Sequence, residues 1–189
     1  MFNIKTLLLW GFTISLLVNM LLLINLLTKE YSPHSFERTE FNFAFSDLVN
    51  DPKTLLLQAI NEANDRLDIA IYNFEDKEIA QAVLNANNRG VNVRVITDAN
   101  KAEKDSRATI LDEFSRNQID VKINTSRKMH LKMAVIDESL IVTGSYNYTE
   151  ASANENLEQL ITLSNEKLAK EWTDIFADLW NQNEFKKWE

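Results

Sequence analysis

The sequence predicts an α/β domain, a mixed β-sheet flanked by helices, preceded by one N-terminal transmembrane helix. Three observations carry that reading. From residue 41 onward, segments with strand-like alternation recur between segments with helical spacing. Residues 6–28 form a run of 23 without a charge, rich in Leu and Ile. The 189 residues are 45% hydrophobic and 25% charged, ordinary for one globular domain.

Taken in order, the apolar run comes first. As a helix rising about 1.5 Å per residue it spans roughly 35 Å, enough for a bilayer core of about 30 Å. It is longer than the apolar region of a signal peptide, about 7–15 residues, and Leu26-Leu27-Thr28-Lys29 offers no small-residue cleavage site. Residues 1–28 are therefore expected to be an uncleaved anchor. Lys5 and the terminal amine lie on one side of it and Lys29 on the other. Acids count little in setting orientation, and the reading places the following domain outside the cytoplasm. Residues 29–40, with Pro33 and mixed charge, read as a linker, and its His34 as a solvated side chain.

The domain proper is expected to run from 41 to 189. FNFAF at 41–45 alternates as a strand, residues 54–65 have helical spacing, and RLDIAIYNF at 66–74 returns to strand. Residues 76–90 make an amphipathic helix closed by Gly90, a natural C-terminal cap. VNVRVITD at 91–98 is a strand, 103–117 a helix and DVKIN at 120–124 a short strand. HLKMAVID, SLIVTGS and LEQLITLS follow as three further strands. A last helix gathers Trp172, Ile175, Phe176, Leu179 and Trp180 on one face, a pattern of core packing.

Composition excludes several chemistries. The chain has no cysteine and two histidines, His34 and His130. Disulfides, thiolate ligands and cysteine nucleophiles are ruled out, and a zinc site is not expected. No metal or other cofactor is expected.

His130 stands in an apolar stretch two residues before Lys132. On a strand, residues two apart share a face, so the imidazole and the ammonium point the same way. Leu131, Met133 and Val135 then point to the other face and can pack against a helix. The next strand ends in Thr143-Gly144-Ser145-Tyr146-Asn147. Gly144 lets a backbone approach closely, and Ser145 and Asn147 offer hydrogen bonds. Glu155 follows in ASANENLE. An imidazole, an obligate cation, an amide donor and a carboxylate suit phosphoryl transfer.

The spacing His130, Lys132, Asp137, Gly144, Ser145, Asn147 fits H-x-K-x4-D-x6-G-S-x-N, and the stretch resembles the signature of the phospholipase D superfamily. The layout from about residue 41 to the end, above all IAIYNFEDKEIAQAVLNANNRGVNVRVITD, also resembles that family. The motif occurs once, as in the small bacterial endonucleases of the Nuc type and in the membrane-anchored mitochondrial member described as cardiolipin hydrolase and nuclease. The resemblance implies a phospholipase D-like fold and a metal-independent phosphodiesterase. His130 attacks phosphorus to give a phosphohistidine, and a second imidazole protonates the leaving group and then activates water. With one motif histidine per chain, that second imidazole comes from another copy, so a homodimer with the site on its two-fold axis is expected. Lys132 and Asn147 would bind the phosphate and Glu155 would orient His130. Asp137 reads as a structural strand-end partner, and Ser145 as a supporting hydrogen bonder.

Charge complicates the choice of substrate. The net charge is −8, whereas nucleic-acid binders are usually basic. Residues 101–136, however, hold eight basic and five acidic side chains: Lys101, Lys104, Arg107, Arg116, Lys122, Arg127, Lys128 and Lys132 are the basic ones. Arg127 and Lys128 immediately precede the stretch that carries His130 and Lys132 and could line a substrate groove. The leading expectation is an endonuclease on DNA or RNA. A phospholipid such as phosphatidylcholine or cardiolipin is the second reading, and a non-catalytic membrane-tethered nucleic-acid-binding module the third. Asn124-Thr125-Ser126 and Asn147-Tyr148-Thr149 are glycosylation acceptor patterns. Modification of Asn147 would destroy the site, which favours a bacterial inner membrane with the domain on its periplasmic or outer side.

Overall fold

The computed structural model describes residues 39–188, together with residues 3, 10, 12–21 and 23–24. The chain divides into Met1–Glu37 and Arg38–Glu189. Residues 12–21 are helical. Among the described residues, no helix is long and apolar enough to cross a membrane. Half of the expected anchor, the linker up to residue 38 and His34 lie outside the described residues.

The second unit is built on one eight-stranded mixed sheet. In chain order its elements are β1 (Glu40–Phe45), α1 (Pro52–Glu62), β2 (Arg66–Ile71), α2 (Lys77–Asn88) and β3 (Asn92–Asp98). Next come α3 (Ala99–Ala102), α4 (Asp105–Arg116), β4 (Asp120–Asn124), β5 (Lys132–Ile136) and β6 (Leu140–Gly144). The chain ends with α5 (Glu150–Asn154), β7 (Gln159–Ser164), α6 (Glu166–Asn181) and β8 (Phe185–Lys187). The sheet order is β1-β7-β6-β5-β2-β3-β4-β8. β2, β3 and β4 run parallel, and β5 pairs antiparallel with β2.

The helices begin where the sequence supplies caps. Asp51 accepts the N–H groups of Lys53 and Thr54 ahead of Pro52, Asp76 those of Glu78 and Ile79, and Asn165 that of Leu168. α2 ends at Asn88, and Gly90 just beyond takes φ +96°, a conformation that costs a glycine little.

Two cores sandwich the sheet. Leu56 and Ile60 of α1, Ile79 and Val83 of α2 and Phe114 of α4 pack with Leu67, Ile69 and Ile71 of β2 on one face. On the other, Ala169 and Phe176 of α6 cover Ala70, Ile96, Met133, Val135 and Ile141. Trp172, Leu179 and Trp180 border this second core as the sequence suggested, but Ile175 is 52% exposed and drops out of it. β8, α3 and α5 were not anticipated, being too short to carry a periodic signal.

Two strand assignments move, and both bear on the site. β5 starts at Lys132 rather than His130, and β7 at Gln159 rather than Leu157. Leu131 is 40% exposed and does not join Met133 and Val135 in the core. The chain is still tied to β2 at this point, because the Tyr72 N–H donates to the Leu131 carbonyl at 2.8 Å.

Candidate active site

One end of the sheet gathers His130, Lys132, Gly144, Ser145 and Asn147 of the motif. β2 and β3 end here, β5 begins here and β6 ends beside it, so side chains from four neighbouring strands converge. His130 and Lys132 stand at the carboxyl ends of the parallel strands, where β5 reverses the chain direction beside β2, the usual ligand position in such sheets.

His130 sits just ahead of β5 and is exposed. Its ring lies 4.5 Å from the Tyr72 ring, centroid to centroid. The Lys132 ammonium lies 3.3 Å from Nδ1 and 3.4 Å from Nε2, and donates to the His130 carbonyl at 3.2 Å. Being almost equidistant from the two nitrogens, it commits the ring to neither tautomer. Burial pushes the imidazole below its ordinary value, and the Lys132 and Lys128 charges push the same way, against Asp98. Both effects disfavour the imidazolium, the form that cannot act as a nucleophile.

The approach to His130 is shaped by two side chains. Asn124 Oδ1 accepts from the Ser126 and Arg127 amides, turning the loop after β4. The buried Asp98 carboxylate accepts the Met129 N–H at 3.0 Å, fixing the residue before His130.

Lys132 is half-buried on the first residue of β5. Burial lowers its pKa and Lys128 adds to that, while the negative charge of Glu158 works the other way. Glu158 is the carboxylate that the structure brings to the motif. It accepts from Ser145 Oγ, from Ser152 Oγ at 3.2 Å and from Asn156 Nδ2 at 3.1 Å. Glu155, expected in that place, is the exposed C-cap of α5. The intervening α5 explains the difference: one and a half turns of helix carry the chain away from the sheet before it returns at Glu158.

Ser145 also accepts the Gln159 N–H at 3.1 Å, so β6 and β7 are fastened together by its hydroxyl. Gly144 pairs with Leu160, and a Cβ there would lie 2.2 Å from the Gln159 carbonyl oxygen and 3.0 Å from Leu160 Cα. Only glycine allows that approach. Asn147 is half-buried, and its Oδ1 is sealed from solvent without a hydrogen-bond partner, which leaves its Nδ2 as the group able to donate to a phosphate oxygen. Its loop is tied to the end of β2: the Tyr148 N–H donates to the Asn73 carbonyl, and Glu75 and Asp76 donate to that of Tyr148.

Asp137 lies at the opposite end of β5. Its carboxylate accepts the backbone N–H groups of Asn64 and Asp65 at 2.9 Å and of Arg66 at 2.8 Å, stitching the β5–β6 turn to the start of β2. Burial raises its pKa, but the three amide bonds outweigh it and hold the carboxyl below the usual range.

The basic residues of 101–136 divide. Lys122 donates to the Trp180 carbonyl at 2.7 Å and Arg107 pairs with Glu75, so both are structural. Lys101 and Lys128 instead converge on Tyr72 beside His130, their ammonium groups 5.1 and 4.7 Å from its ring centroid. Arg127 is exposed just ahead of them. Sequence reasoning did not single out Tyr72, Asp98 or Glu158. Only the strand register reveals them, through the Tyr72–Leu131 bond and the crossing of β6 and β7.

A family model described as cardiolipin synthase, PLD-like domain, matches residues 56–180. The chain belongs to the phospholipase D superfamily. Within this superfamily, a mitochondrial cardiolipin hydrolase of Chlamydomonas reinhardtii is 32% identical over 126 residues, covering 66% of this chain and 56% of that protein. A phospholipase D of Rickettsia conorii is 31% identical over 146 residues, covering 76% and 71%. Nuc from Salmonella typhimurium, a phospholipase D family member, has the same fold at a TM-score of 0.75 and 23% identity, over 80% of this chain and 99% of that one. NucT from Helicobacter pylori follows at 0.68 and 21%, over 79% and 100%.

Proposed function

We propose that this phosphodiester hydrolase of the phospholipase D superfamily is a membrane-anchored, metal-independent endonuclease acting on DNA or RNA. The observation that carries the reading is the exposed His130 held against the Lys132 ammonium, with further cations beside it. His130 attacks phosphorus, forming an N–P bond as the P–O bond to the leaving nucleoside breaks. A second imidazole, His130 of another copy of the chain, gives its proton to the leaving oxygen. It then takes a proton from water, which attacks phosphorus and expels the imidazole. Lys132 and Asn147 hold the non-bridging oxygens. Glu158, in place of Glu155, holds Ser145 in position and supplies a negative charge that works against the loss of the Lys132 proton. The cation role belongs to Lys132, so no metal is called for.

A phospholipid substrate is the second reading, favoured by the names of the relatives from Rickettsia conorii and Chlamydomonas reinhardtii. The uncharged run at 6–28 would hold the enzyme at a bilayer in either case, in our reading the bacterial inner membrane. The test gives the purified full chain labelled DNA, RNA, phosphatidylcholine and cardiolipin side by side, with His130→Ala as control. Cleavage of nucleic acid that vanishes in the control is the expected outcome. Lipid hydrolysis without nucleic-acid cleavage would reverse the order of the two readings.

A further inference from the structure

Tyr72 is the meeting point of more charge than the chemistry at His130 uses. Three ammonium groups surround its ring: Lys132 at 5.1 Å, Lys101 at 5.1 Å and Lys128 at 4.7 Å from the centroid, with His130 packed 4.5 Å away. The three come from separate parts of the fold, β5, α3 and the loop before His130. Lys132 serves the scissile phosphate, which leaves Lys101 and Lys128 over. No ion pair engages either of them among the described residues. Like charges gathered round one ring repel, and a cation–π contact at an exposed site returns only a little of that cost. Such a cluster is stabilised by an incoming anion, and a single phosphodiester already has Lys132 and Asn147 for its oxygens.

We infer that Lys101 and Lys128, backed by the Tyr72 ring, form a second phosphate subsite that takes the phosphodiester one nucleotide along from the scissile one. This rests on the nuclease reading and sharpens it. A substrate with several phosphodiesters in a row fills both positions, whereas phosphatidylcholine has a single phosphate and a quaternary ammonium that the two lysines would repel. Tyr72 contributes by holding both ammonium groups at the mouth and by offering a face to a base or sugar between the phosphates, as aromatic residues do in other single-strand sites.

The test compares two substrates on the full chain: bis(p-nitrophenyl) phosphate, which carries one phosphodiester, and a single-stranded oligonucleotide. The variants are Lys101→Ala with Lys128→Ala, and the charge-keeping Lys101→Arg with Lys128→Arg. Lys128 also acts on His130, but that effect is common to both substrates and cancels in their ratio. In the double alanine variant, kcat/KM on the oligonucleotide relative to the small ester should fall at least tenfold, mostly through KM. The slope of log KM against log salt should flatten by about 1.4, the share of two phosphate contacts on a single strand. The double arginine variant should recover most of both. A ratio within twofold of wild type, or an unchanged salt slope, would overturn the subsite while leaving the nuclease reading intact. If the wild type hydrolyses the small ester and cuts no oligonucleotide, the nuclease reading itself fails and takes the subsite with it. Turnover of cardiolipin vesicles over phosphatidylcholine vesicles that depends on the two lysines would then assign the second anion to a lipid with two phosphodiesters.

Discussion

Replacing Asp137 separates structure from chemistry within the motif. In Asp137→Ala the backbone N–H groups of Asn64, Asp65 and Arg66 lose their acceptor. A hydrogen bond to a charged group contributes about 1.5–3 kcal/mol when buried. Asn64 and Asp65 are exposed, so water replaces most of theirs, and the Arg66 bond, partly buried, carries the larger share. Asp137 also takes φ 51°, where alanine pays roughly 1–2 kcal/mol more than a short polar residue. The expected loss is about 3 kcal/mol, or roughly 6–12 °C in Tm for a domain of this size. Asp137→Asn keeps one acceptor oxygen and tolerates that φ, so it should lose about half as much. Because folding holds the carboxyl below its usual pKa, its contribution is complete above the unfolded value, near 3.8. It disappears as pH falls through the folded value, and the wild-type advantage over Asp137→Asn should shrink below about pH 4. Thermal melts followed by circular dichroism give the stabilities, and hydrolysis of bis(p-nitrophenyl) phosphate well below either Tm gives the chemistry. The kcat should stay within a few-fold of wild type in both variants. A fall of two or more orders of magnitude in a folded Asp137→Asn protein would refute the structural role and place the carboxylate in the reaction.

Four further outcomes follow from the same site. Glu158→Gln should lower kcat roughly 10–100-fold, the weight of one hydrogen bond to a charged group, while Glu155→Gln stays near wild type; steady-state kinetics of the pair decide between the two carboxylates. The acid limb of the kcat/KM profile, where the attacking His130 becomes protonated, should lie below 6.5, the ordinary histidine value, and activity should fall again at higher pH as the second His130 loses the proton it must give; Lys128→Ala, which removes one depressing charge, should move the acid limb upward. Hydrolysis should persist in excess EDTA, and loss on chelation with recovery on added Mg²⁺ or Zn²⁺ would overturn the assignment of the cation role to Lys132. The active species should be a homodimer: analytical ultracentrifugation combined with activity across a dilution series should show turnover disappearing with the dimer, and a fully active monomer would remove the second imidazole from the mechanism.

The sheet was legible in the sequence because its strands are long apolar runs punctuated by caps. Asp51, Asp76 and Asn165 stand where three helices start, and their positions need no tertiary context. His130, Lys132, Gly144, Ser145 and Asn147 were legible for a different reason: fixed spacing along two adjacent strands survives any error in strand boundaries. The assumption that His130 lay inside the strand was wrong by two residues, yet it still placed His130 and Lys132 together. Glu158 was not legible, because spacing fails across a connection of undefined shape. A carboxylate three positions away, Glu155, was equally plausible until α5 showed where the chain turns. Tyr72 was hidden by the same limit, since its neighbours come from β5, α3 and the loop before His130.

The acidity of the chain, at first sight at odds with a polyanionic substrate, is resolved by where the charges lie. Three basic residues of the middle segment are spent on the fold: Lys122 on the Trp180 carbonyl, Arg107 on Glu75 and Arg116 on the Asp112 carbonyl. The net +3 over residues 101–136 therefore overstates any general basic face, and the unspent charge is concentrated in Lys101, Lys128 and Lys132 round a single ring. Such a focus steers an anion only at close range, since the surrounding acids and salt screen it beyond about 8–10 Å. An enzyme built this way binds a long polyanion weakly along its length and strongly at one or two phosphates. Its salt dependence should therefore be set by the few contacts at the site, and stay constant as the oligonucleotide is lengthened past them.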